Sequence, residues 1–341
     1  MTAKKIFSVF GIAFLIFLIA IPLFSYKAFK SAIKEKSFNH LITARELLKN
    51  QVKNYFHERF GDVDVLASNP IIAQGLSRLS MAFRTSGFGS PEYLESVDIY
   101  QSLMEHYVTD YGYVNIFFID RDGEVVYSVK EDEYTGTNLL IGKYKYFSMA
   151  QGFKRGLEEV TFEDYTWHDD QHGFTSYFAA PIRGNQVVLG VLIIEIPFSH
   201  LDAMLTRRAG LGQTGEIYLV GEDGFMRSNS RFSEEPTILQ KEVDTEATRD
   251  AFDGNAGTKI VNDYRGVPVL SAYTPLNLKF VDWILLAEMD EEEAFYVINA
   301  VEIRLIIIAS SISVIAIAYI YLVKRREDRH EVSEHVEETE S

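Results

Sequence analysis

NIFFIDRDGEVVYS (115–128) and TSYFAAPIRGNQVVLGVLIIEI (175–196) decide how this chain folds. β-Branched, aliphatic and aromatic residues crowd both stretches, and the turn pairs Asp122-Gly123 and Gly184-Asn185 divide each into two runs. That is the composition of antiparallel hairpins. Between them lie a Tyr-rich turn-and-helix segment and the polar aromatic run TFEDYTWHDD (161–170). A chain that leaves a sheet and returns to it can cover one face and enclose a pocket there.

The same pattern occurs again downstream. EIYLVGEDGFMRSN (216–229) copies the first hairpin, WILLAEM (283–289) copies GVLIIEI (190–196), and VPVLSAYTPL (267–276) stands where TSYFAAPI stood. Two related sheet modules in tandem are expected, the second shorter. AGLGQTG (209–215) and a short helix over 201–208 connect them. AGLGQTG precedes a strand, so it is no dinucleotide fingerprint.

Upstream, residues 27–67 favour helix, with Phe38, Leu41, Ile42, Leu48, Val52, Tyr55, Val63 and Leu66 forming one apolar stripe at three- and four-residue steps. This long helix reads as a stalk that packs on the domain and is compatible with a homodimer. Asn69-Pro70 caps and opens a second helix to about Phe83, and a third runs from about Tyr93 to Tyr111.

Two uncharged apolar runs, Ile6 to Phe24 and Leu305 to Val323, approach the roughly 20 residues that span a bilayer as helices. Lys324, Arg325, Arg326 and Arg329 follow the second, which places its C-terminal end in the cytoplasm and the middle of the chain outside it. The expected organisation is a cytoplasmic N-terminus (1–5), a first transmembrane helix (6–25), and a stalk and helical scaffold (27–112). Two sheet modules (113–200 and 201–295), a second transmembrane helix (303–323) and a disordered cytoplasmic tail (324–341) follow. The fold class is α+β.

Composition narrows the function. A formal net charge of -16 with no internal basic face argues against nucleic acid. The absence of cysteine excludes disulfides, thiol catalysis, iron–sulfur clusters and thiolate zinc sites. No nucleophile motif or P-loop occurs, so neither an enzymatic role nor a cofactor is expected.

VVYSVKEDEYTGTNLL (125–140), SYFAAPI with VLGVLIIEI, RAGLGQTGEIYLVGEDGFMRSNSRF (208–232) and NDYRGVPVLSAYTPL (262–276) follow one another between the two apolar runs. Together they resemble the double Cache (dCache) extracytoplasmic sensor of bacterial chemoreceptors, sensor histidine kinases and cyclases. The resemblance covers roughly residues 27–295. It implies PAS-like antiparallel-sheet modules, capture of a small molecule in the membrane-distal first module, and transmission through the second module to the second membrane helix. It also implies a two-pass protein of the bacterial inner membrane with a periplasmic or extracellular sensor. In the amino-acid-binding branch an Arg-x-Trp-Tyr run opens the helix after the first hairpin; here Lys143, Tyr144, Lys145 and Tyr146 occupy it, and only Tyr146 matches. The Asp that ends the last strand in that branch is replaced by Glu195.

A pocket for a small polar ligand needs aromatic walls and one or two charges. Tyr127, Lys143, Tyr144, Tyr146, Asp164, Tyr165, Trp167, Tyr177 and Glu195 supply those types within the first module. The ligand classes they suit are an amine, an amino-acid-like molecule or an organic acid. His168, Asp169, Asp170 and His172 are metal-ligand types, but in a run without defined spacing they read as a solvated loop. Tyr218, Arg227, Asp263, Tyr264 and Arg265 of the second module could line a second pocket, but read better as structural ion pairs and turns. The functional expectation is a membrane-anchored sensory receptor acting on a separate cytoplasmic or membrane signalling partner. Two alternatives remain open: the sensor portion of a longer chemoreceptor or kinase, and a membrane-tethered binding or scaffold protein.

Overall fold

The structure, a computed structural model, describes residues 3–167, 173–206 and 210–339. Strands β1 (Asn115–Asp120), β2 (Val125–Ser128), β3 (Thr161–Trp167), β4 (Phe174–Gly184) and β5 (Val187–Pro197) form one antiparallel sheet in the order β2-β1-β5-β4-β3. Strands β6 (Glu216–Gly221), β7 (Gly257–Asn262), β8 (Pro268–Pro275) and β9 (Trp283–Asp290) form another in the order β6-β9-β8-β7. The repeat seen in the sequence is carried into register. Asn115 stands opposite Glu195 in the first sheet, as Glu216 stands opposite Glu288 in the second.

The helices are α1 (Ala3–Ala67), α2 (Pro70–Ser86), α3 (Pro91–Tyr111), α4 (Ser148–Gly156), α5 (Ser199–Leu205), α6 (Glu246–Phe252) and α7 (Glu291–Thr339). Asn69 caps α2 as its sequence demands, its side chain accepting the Ile71 N–H at 3.0 Å. α3 opens two residues earlier than expected, because Ser90 caps it and Pro91 occupies its first position.

Residues 40–290 form one compact unit, and residues 1–39 with 291–341 form another. In the smaller unit, Lys30 places its ammonium 5.4 Å from the centre of the Phe295 ring. α7 continues to Thr339 through the stretch expected to be irregular. That stretch has no Gly or Pro and is rich in Glu, Lys and Arg. Lack of an apolar stripe removes packing, but not helix propensity. Among the described residues no helix is long and apolar enough to cross a membrane; the side chains of Ile6 to Leu23 lie outside the described residues.

Within the larger unit α1 serves both modules. Arg45 donates from Nη1 to the Tyr273 carbonyl at 2.9 Å, and Lys49 reaches Thr274 Oγ1 at 2.8 Å, both on β8. Two turns further on, Phe56 meets Phe162 of β3 edge-on at 4.9 Å, and Phe60 meets Phe178 of β4 at 5.1 Å.

The first sheet therefore has two unlike faces. One packs α1, α2 and α3. The other packs α4 and the segment after β2, through Phe117, Ile193, Ala179, Tyr134, Met149 and Phe153. Gly156 permits this close approach, since a Cβ there would lie 2.8 Å from Val191 and 3.0 Å from Ala179.

Candidate ligand site in the first module

Strand alternation and register place four polar residues in one row on the α4 face. Asn115 pairs with Glu195, Glu195 with Tyr177, and Tyr177 with Glu163. Phe117, Ile193 and Ala179, two residues along each of three strands, belong to the apolar core of that face, so the polar row shares it. Every member is buried. The hydroxyls of Thr161, Thr175 and Tyr177, all on this face, are also buried and have no hydrogen-bond partner among the described residues. Buried polar groups are normally satisfied. A row of buried polar groups with unpartnered hydroxyls beside carboxylates marks this face as the candidate site.

The segment after β2 supplies the opposing wall. Asp132 accepts the Tyr134 N–H at 3.0 Å and the Asn115 amide at 3.2 Å, and its carboxyl is raised by burial despite these donors. Tyr134 packs on Tyr144 with ring centres 4.8 Å apart. Burial, then the Glu195 charge, lifts the Tyr134 hydroxyl. Burial and the same Glu195 charge lift Tyr177 well above its ordinary value. Both phenols therefore remain donors at any physiological pH. From α4, Arg155 Nε donates to Glu163 Oε1 at 2.7 Å, and burial still raises the Glu163 carboxyl.

Of the residues expected at a site, Tyr177 and Glu195 lie in this row. Tyr144 joins its wall and donates to Glu133 Oε2 at 2.8 Å. Lys143 is exposed and paired with the same carboxylate at 2.9 Å. Tyr146 is 78% exposed. The other four are elsewhere. Tyr127 points to the helical scaffold, where its hydroxyl donates to Gln101 of α3 at 2.9 Å. Trp167 meets Phe174 edge-on at 4.8 Å and is 56% exposed.

Asp164 and Tyr165 face the second module. Tyr165 stacks on Trp283 at 5.7 Å, and Asp164 is held by Arg227 and by the Trp283 indole. The cause is a bulge in β3. Glu163 pairs with Tyr177 and Thr166 with Thr175, so Asp164 and Tyr165 together oppose Ser176 alone and both turn away from the site. Asn115, Asp132, Tyr134, Arg155 and Glu163 join this candidate site without having been expected there. For Asn115 and Glu163 the available signal was their register with Glu195 and Tyr177.

His168, Asp169, Asp170 and His172 lie outside the described residues. Among the described residues no group of three His, Asp or Glu is placed to hold a metal ion. In the second module the arginines expected in ion pairs form them. Arg227 bridges Asp164 at 3.0 Å and Asp223 at 2.8 Å, and Arg265 joins Asp263 and Asp290, both at 2.6 Å.

A family model described as "Cache domain" matches residues 25–298. No curated protein matches the sequence. Among solved structures, the chain is similar to the ligand-binding domain of the Campylobacter jejuni chemoreceptor Tlp3 in complex with 4-methylisoleucine, at 11% identity and a TM-score of 0.55, covering 77% of this chain and 94% of that one. It is also similar to the ligand-binding domain of the Pseudomonas aeruginosa amino-acid chemoreceptor PctB in complex with L-Arg, at 14% identity and a TM-score of 0.51, covering 78% and 92%. The P. aeruginosa chemoreceptor PctC domain in complex with GABA matches at 14% identity and a TM-score of 0.50, covering 74% and 99%. At these identities the likeness is one of fold.

Proposed function

The chain belongs to the Cache domain family of ligand-binding, non-enzymatic sensor domains, and from that premise we propose that it is a membrane-anchored extracytoplasmic receptor that captures a small molecule in its first module. The observation that carries this reading is the buried row Asn115, Glu195, Tyr177 and Glu163, with unsatisfied Thr161, Thr175 and Tyr177 hydroxyls on the same face. Glu195 receives a positively charged or hydrogen-bond-donating group, and Tyr134 and Tyr177 orient it. An amine or amino-acid-like ligand suits that arrangement. The Tlp3, PctB and PctC domains bind ligands bearing amino groups, which supports the class without fixing the molecule.

Ile6 to Phe24 and Leu305 to Val323 anchor the chain in the inner membrane on hydropathy. Closure of the first module on its ligand shifts the second module and α7, and a separate signalling partner reads that shift.

The test is a thermal-shift screen of the full chain in detergent against amino acids, amines, organic acids and purines, because a ligand of the native state raises its apparent stability. A hit lost in Glu195→Gln supports the proposal. No shift from any class would reject small-molecule capture.

A further inference from the structure

The second sheet repeats the polar row of the first and buries it among carboxylates. Glu216 on β6 stands opposite Glu288 on β9, and Glu288 opposite Ser271 on β8. They lie on the face that packs Tyr218, Val269, Leu286 and Ala247 of α6. Glu216 and Glu288 are each 3% exposed and Ser271 is fully buried. Two carboxylates are thus neighbours in a place with almost no access to water.

Their partners differ. Glu216 is engaged at both oxygens, with Oε1 accepting the Arg231 N–H at 2.8 Å and Oε2 the Tyr264 hydroxyl at 2.8 Å. Glu288 Oε2 accepts the Tyr218 hydroxyl at 2.8 Å. Glu288 Oε1 and Ser271 Oγ stand side by side with no hydrogen-bond partner of bonding geometry.

The surrounding charges do not neutralise the pair. After β7, Asp263 is taken by the Arg265 guanidinium, which also holds Asp290 at the end of β9. Lys259 of β7, on the same row as Ser271, pairs with Asp250 of α6 at 3.0 Å. The Arg231 guanidinium donates to the carbonyls of Gly215 and Gln213. Among the described residues no cation forms an ion pair with Glu216 or Glu288. Two ionised carboxylates here would be poorly hydrated and repel each other, which a proton on Glu288 relieves.

We propose that the second module is a proton-binding input in its own right. Glu288, directly across from Glu216, holds one proton, and its release to solvent as the medium turns alkaline forces a rearrangement of β6 and of β9, the strand that continues directly into α7. Burial, ahead of the neighbouring acidic charges, lifts the Glu288 carboxyl to about 7. The bound proton also gives the carboxyl a donor of its own beside the unpartnered Oε1. This input is independent of ligand capture in the first module.

The experiment uses the full chain in lipid nanodiscs, with infrared difference spectra recorded as pH is stepped from about 5 to 9 and backbone hydrogen exchange followed in β6 and β9. The expected result is one protonated-carboxyl band that disappears with a midpoint near 7, accompanied by faster exchange in β9, both absent in Glu288→Gln. Glu216→Gln should lower the midpoint by about one unit, because it removes the neighbouring charge. A wild-type protein with no such band, a band that persists in Glu288→Gln, or β9 exchange that stays flat through the titration would overturn the proposal. Should Glu288→Gln fail to fold, an unchanged midpoint in Glu216→Gln would overturn it alone.

Discussion

The indole nitrogen of Trp283 donates to Oδ2 of Asp164 at 3.0 Å, so the last strand of the second module is hydrogen-bonded to the third strand of the first. Arg227 grips the same carboxylate through Nε at 3.0 Å, and Tyr165 lies flat on the indole. Burial still raises the Asp164 carboxyl against the pull of Arg227, which identifies this as a desolvated junction. Asp164→Ala leaves Arg227, 6% exposed, with Asp223 as its remaining carboxylate. The expected cost is about 2 kcal/mol. Asp164→Asn keeps an acceptor for Trp283 and should cost about half as much. Urea unfolding followed by tryptophan fluorescence checks both, and a cost near zero for Asp164→Ala would show the junction to be idle.

Ligand response should separate the two faces of the first sheet. Tyr177→Phe removes a buried hydroxyl from the site face and should abolish or weaken the thermal shift given by a ligand, while leaving the unliganded melting point nearly unchanged. Tyr127→Phe removes a hydroxyl from the scaffold face, should cost about 1 kcal/mol through the lost Gln101 bond, and should leave the ligand shift intact. The reverse pattern would place the site on the wrong face.

Gly190 sits on β5 directly opposite Asp120 of β1. A Cβ at this position would lie 2.1 Å from the Ile119 carbonyl oxygen and 2.9 Å from the Asp120 Cα. Neither can move without opening the β1–β5 ladder. Gly190→Ala should destabilise the first sheet by more than about 3 kcal/mol. Circular dichroism melts would show it, and a shift of only a degree or so would contradict the packing described.

Glu288 gives stability a defined pH dependence. Its folded value is raised to about 7 against 4.5 for the free carboxyl, so the folded state keeps a proton that the unfolded chain has released. This contribution is fully present below 4.5 and is lost as pH rises through about 7. By pH 8 the loss is about 3 kcal/mol. Glu288→Gln should therefore be more stable than wild type at pH 8 and close to it at pH 4.5, as read from denaturant midpoints. Equal slopes of stability against pH for the two proteins would contradict this.

The tandem sheets were legible because hairpin turns and β-branched runs are local signals, and the copy of GVLIIEI in WILLAEM survived the divergence around it. The side of the sheet on which Glu195 sits follows from alternation with Ile194 and Ile196. Which helix covers that side does not, since this depends on where α4 lands. Asp164 and Tyr165 looked like site residues because strict alternation cannot announce a bulge. Tyr127 has the aromatic and polar character of a ligand wall, and only Gln101, far away in sequence on α3, reveals that it serves the scaffold. Asn115 and Glu163 were overlooked because a row across strands is not contiguous in the chain.

The β3 bulge also acts as a reading-frame device in space. Deleting either Asp164 or Tyr165 would restore regular alternation with Thr166 still opposite Thr175, but a single residue would then face the second module, so either the Asp164–Arg227 ion pair or the Tyr165–Trp283 stack would be lost. Loss of a single codon there would thus damage the junction while leaving the ligand wall in register, whereas an insertion in the nearby turn at Gly184-Asn185 would be absorbed. Homologous chains should vary freely in length at that turn and hardly at all between Glu163 and Thr166.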